Sequence, residues 1–177
     1  MFYLSNNVRK LTTAAMLCAM TLVCTMVIQI PTPTKGYFNL GEAIVLLSGF
    51  VLGPLTGGIA AGIGAMLADV LSPYTVYAPA TLAIKFLTAA VAGMIFQKSG
   101  RKITAAVIGA IIGEIIMVGG YFLFECLIVG GGMGAVAAAA GIFMNTVQAV
   151  VGAVIAILLL AMFKKTRIME TYFNFDK

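Results

Sequence analysis

The fold class this sequence predicts is an all-α membrane protein: a compact bundle of six transmembrane helices with the N and C termini cytoplasmic. Three observations predict it. Of the 177 residues, 62% are apolar and only 10% charged, with a mean hydropathy of +1.09, whereas soluble domains carry about 25% charged residues. The apolar residues fall into runs punctuated by Pro, Gly or basic residues, and at about 20 residues per spanning helix the length holds roughly five to seven runs. On a count of six, Arg9, Lys10, Lys98, Arg101, Lys102, Lys164, Lys165 and Arg167 share one side and only Lys35 lies in an opposite loop. The positive-inside rule makes the crowded side cytoplasmic. Residues 1–177 are then expected to form a single transmembrane domain with no soluble domain.

The composition also excludes several classes. The net charge of +5 comes from cations at the ends of apolar runs, not interleaved with aromatics on one face, so no nucleic acid is implied. Cys18, Cys24 and Cys126 are odd in number and lack CxxC spacing, which supports neither a disulfide framework nor a zinc site. Histidine is absent, and with it the commonest metal ligand and proton shuttle. There is no nucleophile elbow and no G-x-x-x-x-G-K-[ST] phosphate loop. The chain reads as no enzyme, with no cofactor or metal, and it does not hydrolyse ATP by itself. Leu11 to Ile30 follows Arg9-Lys10 as a signal peptide would, yet it is long and lacks a small-residue cleavage site, so it is kept as a spanning helix.

In order, helix 1 is expected over about 10–30, ended by Pro31 and kept extended by Pro33. Its Ala15-x-x-x-Ala19 allows close helix approach. Helix 2 (about 40–52) is short for a bilayer core of about 30 Å and is expected to be sheltered inside the bundle. Gly53-Pro54 stops it, and Gly57-Gly58 opens helix 3 (about 57–71), where Gly58, Gly62, Ala65 and Asp69 line one stripe. Ser72-Pro73-Tyr74 turns the chain into helix 4 (about 79–96), with Thr81, Lys85 and Thr88 along one side. Lys98 to Lys102 form a loop. Helix 5 (about 103–125) carries Glu114, Tyr121 and Glu125 on one face. After a glycine-rich linker from Gly130 to Gly134, helix 6 (about 136–163) sets Asn145 and Gln148 on a face with Gly141 and Gly152.

Ionisable residues inside apolar runs need a reason, because a charge at the bilayer centre costs about 2.5–3.5 kcal/mol on insertion scales. In the orientation above, Glu42, Asp69, Lys85, Glu125, Asn145 and Gln148 occupy the outer half and Glu114 the midplane. The inner half is apolar and small. A one-sided cluster describes a cup that opens outward, suited to capture rather than conduction. Bland readings stand beside this one. Glu42 favours a helix start through the macrodipole, Asp69 and Lys85 form a buried ion pair between helices 3 and 4, and Asn145 with Gln148 bonds between helices. Four carboxylates against one lysine disfavour a strongly anionic ligand.

The series Gly-Tyr-Phe-Asn-Leu-Gly-Glu (36–42), Leu-Gly-Pro-Leu-Thr-Gly-Gly (52–58), Gly-x-Gly-x-x-Leu-Ala-Asp (62–69) and Tyr-Ala-Pro-Ala-Thr-Leu-x-x-Lys (77–85) resembles the substrate-binding S component of energy-coupling factor (ECF) vitamin transporters. The group around riboflavin, hydroxymethylpyrimidine and pyridoxine uptake is the most similar. The resemblance implies a multi-pass protein of a bacterial plasma membrane that binds a small water-soluble vitamin from outside under the loop between helices 1 and 2. It further implies docking, through Ala15 and Ala19, on a transmembrane coupling subunit that carries two ATPase subunits. The family's pockets map onto Tyr37, Asn39, Lys85, Glu114, Tyr121, Asn145 and Gln148. The lack of Trp and His sets this chain apart from the thiamine and biotin members. A hydroxymethylpyrimidine- or pyridoxine-like vitamin is expected, with riboflavin next. An ion-coupled secondary transporter and a structural subunit are the other readings.

Overall fold

The computed structural model describes residues 6–31, 36–129 and 134–173; Lys35 and most of the glycine-rich linker lie outside them. Helix α1 (Asn6–Val27) stops short of the expected Ile30. A residue before proline is pushed to extended backbone, and Ile30-Pro31 accordingly forms β1, paired antiparallel with β2 (Tyr37–Phe38). This two-residue ladder, absent from the sequence reading, ties the end of the α1 segment to the residues that lead into α2.

Helix α2 (Glu42–Leu52) is buried at every one of its 11 residues. At the helical rise it is about 16 Å long, too short to cross a bilayer core, and it lies at the centre of the bundle against α1, α3, α4 and α6. Gly53, at φ 81°, ends it, and Pro54 is already the first residue of α3 (Pro54–Val70), three residues before the expected start. The reason is that proline's fixed φ suits the first helical position, where an N–H has no partner to lose. After a 3-10 turn at Thr75–Tyr77 come α4 (Ala78–Lys98), α5 (Ile103–Phe124) and a π turn over Glu125–Val129. Helices α6 (Gly134–Lys165) and α7 (Ile168–Tyr172) complete the chain, the last also unforeseen.

Close backbone approach holds the centre together. A Cβ on Gly93 would lie 2.4 Å from the Gly49 carbonyl oxygen, so only glycine lets α4 come this near to α2. Phe50 and Phe96 fill the space beneath, ring centroids 5.2 Å apart. Such packing matters more here than water exclusion, since lipid tails are as apolar as the side chains they surround. Among the described residues four helical stretches are long and apolar enough to cross a membrane, Asn6–Val27, Thr75–Lys98, Ile103–Leu127 and Ala138–Lys165. Their outer faces expose Leu11, Ile111, Ile115, Val150 and Leu158. At one end the Arg9 guanidinium donates to the Tyr172 carbonyl at 2.9 Å, and the Lys164 ammonium donates to the Arg101 carbonyl. The basic residues of α1, the α4–α5 turn and α6 therefore share that end.

Candidate binding site

At the opposite end the helices part around a polar cluster. Position 42 opens α2, so its side chain enters the bundle where α2 begins. Its carboxylate is fully buried and pairs with the Lys85 ammonium from α4, itself 3% exposed. Lys85 lies one turn after Thr81, the spacing that puts both on one face of α4, with Tyr77 capping that helix a turn earlier. Gln148 of α6 reaches the same carboxylate, its Nε2 donating to Glu42 Oε2 at 3.2 Å. Its Oε1 accepts the Asn39 backbone N–H at 2.8 Å, and Asn39 Oδ1 accepts from Gly41 N at 2.9 Å. One chain of bonds thus runs from the β2–α2 segment through α6 and α2 to α4.

Above this chain, Tyr37 donates its hydroxyl to Asp69 Oδ1 at 2.5 Å and lies against Tyr74 with centroids 4.3 Å apart. Burial, ahead of the Asp69 charge, holds the Tyr37 phenol above its ordinary value, so it stays a donor at any ordinary pH. Thr81 Oγ1 and the Tyr121 hydroxyl are 3.0 Å apart, and the Lys85 ammonium sits 5.1 Å from the Tyr121 ring centroid. Tyr77 donates to Glu125 Oε1 at 3.4 Å. The enclosed space is ≈ 30 Å³, room for about two waters. A larger molecule enters only if the Tyr37 segment lifts or the lining side chains turn.

Of the residues singled out from sequence, Tyr37, Asn39, Lys85, Tyr121, Asn145 and Gln148 all line this cavity. Glu114 does not. It lies two turns before Tyr121 on α5 and lines a separate groove toward α6. The Asp69–Lys85 ion pair is corrected: the ion partner of Lys85 is Glu42, and Asp69 serves Tyr37. Helix spacing places residues on a face but does not say which neighbouring helix faces them, and that is how the partner was misassigned. Asp69 and Glu125, read from sequence as members of the outer polar cluster, also line the cavity, and so do Thr25, Tyr77 and Thr81, which were not assigned to the pocket. Leu17, Thr21 and Thr25 are the buried residues of α1, four apart, a spacing that would have flagged Thr25. Ala15 and Ala19 lie on the exposed face of α1.

A helical bundle of membrane-spanning hydropathy, closed at one end over a buried polar cup and with no metal-ligating cluster among its described residues, defines a binding subunit for a small polar molecule. The chain belongs to the family described as ECF-type riboflavin transporter, S component, whose model matches residues 5–165. It is 38% identical over 134 residues to an uncharacterized protein in a gap 3′ region of Pyrococcus woesei, spanning 75% of this chain and 86% of that one. It is 27% identical over 170 residues to the thiamine precursor transporter HmpT of Lactococcus lactis subsp. cremoris, 95% of each chain. A solved S component of a bacterial ECF transporter shares the fold at a TM-score of 0.74 and 22% identity, over 90% of this chain and 98% of that one. The family is a transporter component and not an enzyme class.

Proposed function

We propose that this chain captures a hydroxymethylpyrimidine- or pyridoxine-like vitamin from outside a bacterial cell membrane and delivers it for ATP-driven uptake. A transmembrane coupling subunit with two ATPase subunits does the delivering. The observation that carries the reading is the cup itself, where Tyr37, Asn39, Lys85, Tyr121, Asn145 and Gln148 converge on ≈ 30 Å³ of enclosed space. Lys85 is matched by Glu42, and Asp69 and Glu125 add carboxylates, so the surroundings favour a neutral or weakly basic ring over an anion. Amides and hydroxyls at fixed positions suit ring nitrogens and a hydroxymethyl group, while Tyr37 and Tyr121 offer faces for stacking. A small space also opens more readily for one ring than for three. The relative named for a thiamine precursor supports the same choice. Riboflavin is the second reading, favoured by the description of the matching family model.

The test is calorimetric titration of the purified chain with hydroxymethylpyrimidine, pyridoxine, riboflavin and pantothenate, with native mass spectrometry for any retained ligand. Either of the first two is expected to bind one to one. Asn145→Ala should weaken binding roughly tenfold, as one hydrogen bond left unmade does. Heat from riboflavin alone would move the assignment to the second reading. Tight binding of pantothenate, unaffected by Asn145→Ala, would defeat both ligand and site.

A further inference from the structure

The cup holds more polar groups than it leaves open to a ligand. Gln148 spends its Oε1 on the Asn39 N–H at 2.8 Å and its Nε2 on Glu42 at 3.2 Å. Asn39 Oδ1 is taken by Gly41 N at 2.9 Å, and the Thr81 and Tyr121 hydroxyls engage each other at 3.0 Å. These groups brace the wall. Asp69 differs. It stands on α3 with 2% of its surface exposed and lines the cavity. Its Oδ1 takes the Tyr37 hydroxyl at 2.5 Å, while Oδ2 has no hydrogen-bond partner among the described residues. A separation of 2.5 Å is that of a hydroxyl bonded to a carboxylate anion, and a carboxylate anion only accepts. A buried acceptor left without a donor is costly, so what fills the cup must bring one to Oδ2.

We propose, resting on the reading of the cup as a vitamin site, that Asp69 sets its specificity: Oδ2 is reserved for an N–H of the ligand, which is a 4-aminopyrimidine bearing a hydroxymethyl group. An amine conjugated to a heteroaromatic ring has its lone pair drawn into the ring and, like an amide NH2, offers donors only. The hydroxyls of a pyridoxine-like ring donate too, but each also brings lone pairs. Those lone pairs would meet a wall on which Asp69 and Glu125 both stand and where the Lys85 charge is already matched by Glu42. A group that only donates suits that wall better. The ring nitrogen next to the amine is an acceptor and needs a donor in turn. The Lys85 ammonium lines the same cavity and, beyond the proton it gives Glu42, has others to offer.

Calorimetry of the full chain in detergent, with rings that differ only at position 4, reads this contact directly. The rings are 4-amino-5-hydroxymethyl-2-methylpyrimidine, its 4-oxo analogue and the analogue with hydrogen there. The parent chain should bind the amino ring about 10- to 100-fold more tightly than either of the others, the span of a hydrogen bond to a charged group. Asp69→Asn keeps an oxygen for Tyr37 and puts an NH2 where Oδ2 was, so it should reverse the order and favour the oxo ring. A merely structural Asp69 would weaken all three alike. Tyr37→Phe should keep the parent order, because it removes only the bond at Oδ1. Equal weakening of the three rings by Asp69→Asn, loss of the preference in Tyr37→Phe, or pyridoxine bound as tightly as the amino ring would each overturn the assignment. Should Asp69→Asn not fold, the order of the rings on the parent chain decides alone. Equal binding of all three, still weakened by Asn145→Ala, would remove the role of Asp69 and leave the vitamin site standing; binding of none would defeat both.

Discussion

Glu42 and Lys85 meet with 0% and 3% of their side chains exposed, and what their separation does follows from the cost of a stranded charge. A buried pair adds little over well-packed apolar residues, but removing one member leaves the other uncompensated, at about 3–5 kcal/mol. Glu42→Gln or Lys85→Met alone should therefore destabilise the chain by about that much in detergent unfolding. The double variant Glu42→Leu/Lys85→Met should recover most of the loss. Single variants as stable as the parent would show that the pair is not charged. Both singles and the double should lose vitamin binding, since Gln148 and the ammonium are held through this carboxylate. The residue types of the site were legible in the sequence because charges inside apolar runs are conspicuous. Their pairing was not, because Glu42 and Lys85 are 43 positions apart and only the packing of α2 against α4 makes them neighbours. Glu114 shows the same limit. Its spacing from Tyr121 put both on one face of α5, yet only Tyr121 lines the cavity, while Glu114, two turns away, borders the α5–α6 groove.

Short α2 and α3 depend on the joint between them. Gly53 has φ 81° and ψ −178°, a region essentially restricted to glycine. A Cβ there would also lie 2.4 Å from Gln97 Nε2. Gly53→Ala should thus cost about 1–3 kcal/mol from backbone conformation, with a further steric cost because Gln97 must turn aside. Gln97→Ala, in combination, should relieve the steric share only. Full stability of Gly53→Ala would mean that the joint adopts another geometry. The break at Gly53-Pro54 was plain from sequence, as was the sheltered position of α2, because an apolar run of that length cannot span a bilayer core. The start of α3 was missed by three residues, since Gly57-Gly58 looks like a boundary. Those glycines instead let neighbours approach: a Cβ on Gly57 would lie 2.4 Å from the Ser48 carbonyl oxygen and one on Gly58 2.8 Å from the Phe86 ring. The β1–β2 ladder had no signal in so short a segment beyond the extended bias before Pro31.

The whole molecule has two unlike ends, and the positive-inside rule predicts that the basic one faces the cytoplasm. In a chain freed of Cys18, Cys24 and Cys126, an impermeant maleimide applied outside cells should label Thr75→Cys and not Lys102→Cys; both positions are exposed and lie at opposite ends. Labelling of Lys102→Cys alone would invert the orientation, and with it the direction of capture. The same polarity bears on the proposed docking stripe. Helix α1 buries only Leu17, Thr21 and Thr25, with Ala14 and Cys18 packed at the edge of the core. Ala15 and Ala19 therefore face away from the bundle, in the half nearer the basic end, beside exposed Met16 and Met20. Small residues four apart on an outward face let another helix come close, and bulk added there disturbs nothing inside. Ala15→Leu/Ala19→Leu should leave vitamin affinity within about twofold, less than the loss of one weak hydrogen bond, yet abolish uptake in cells that supply the coupling subunit and its ATPases. Co-purification with those subunits should fail in parallel. Loss of binding in the isolated variant would instead place this stripe inside the bundle, and unimpaired uptake would move the docking surface to another helix.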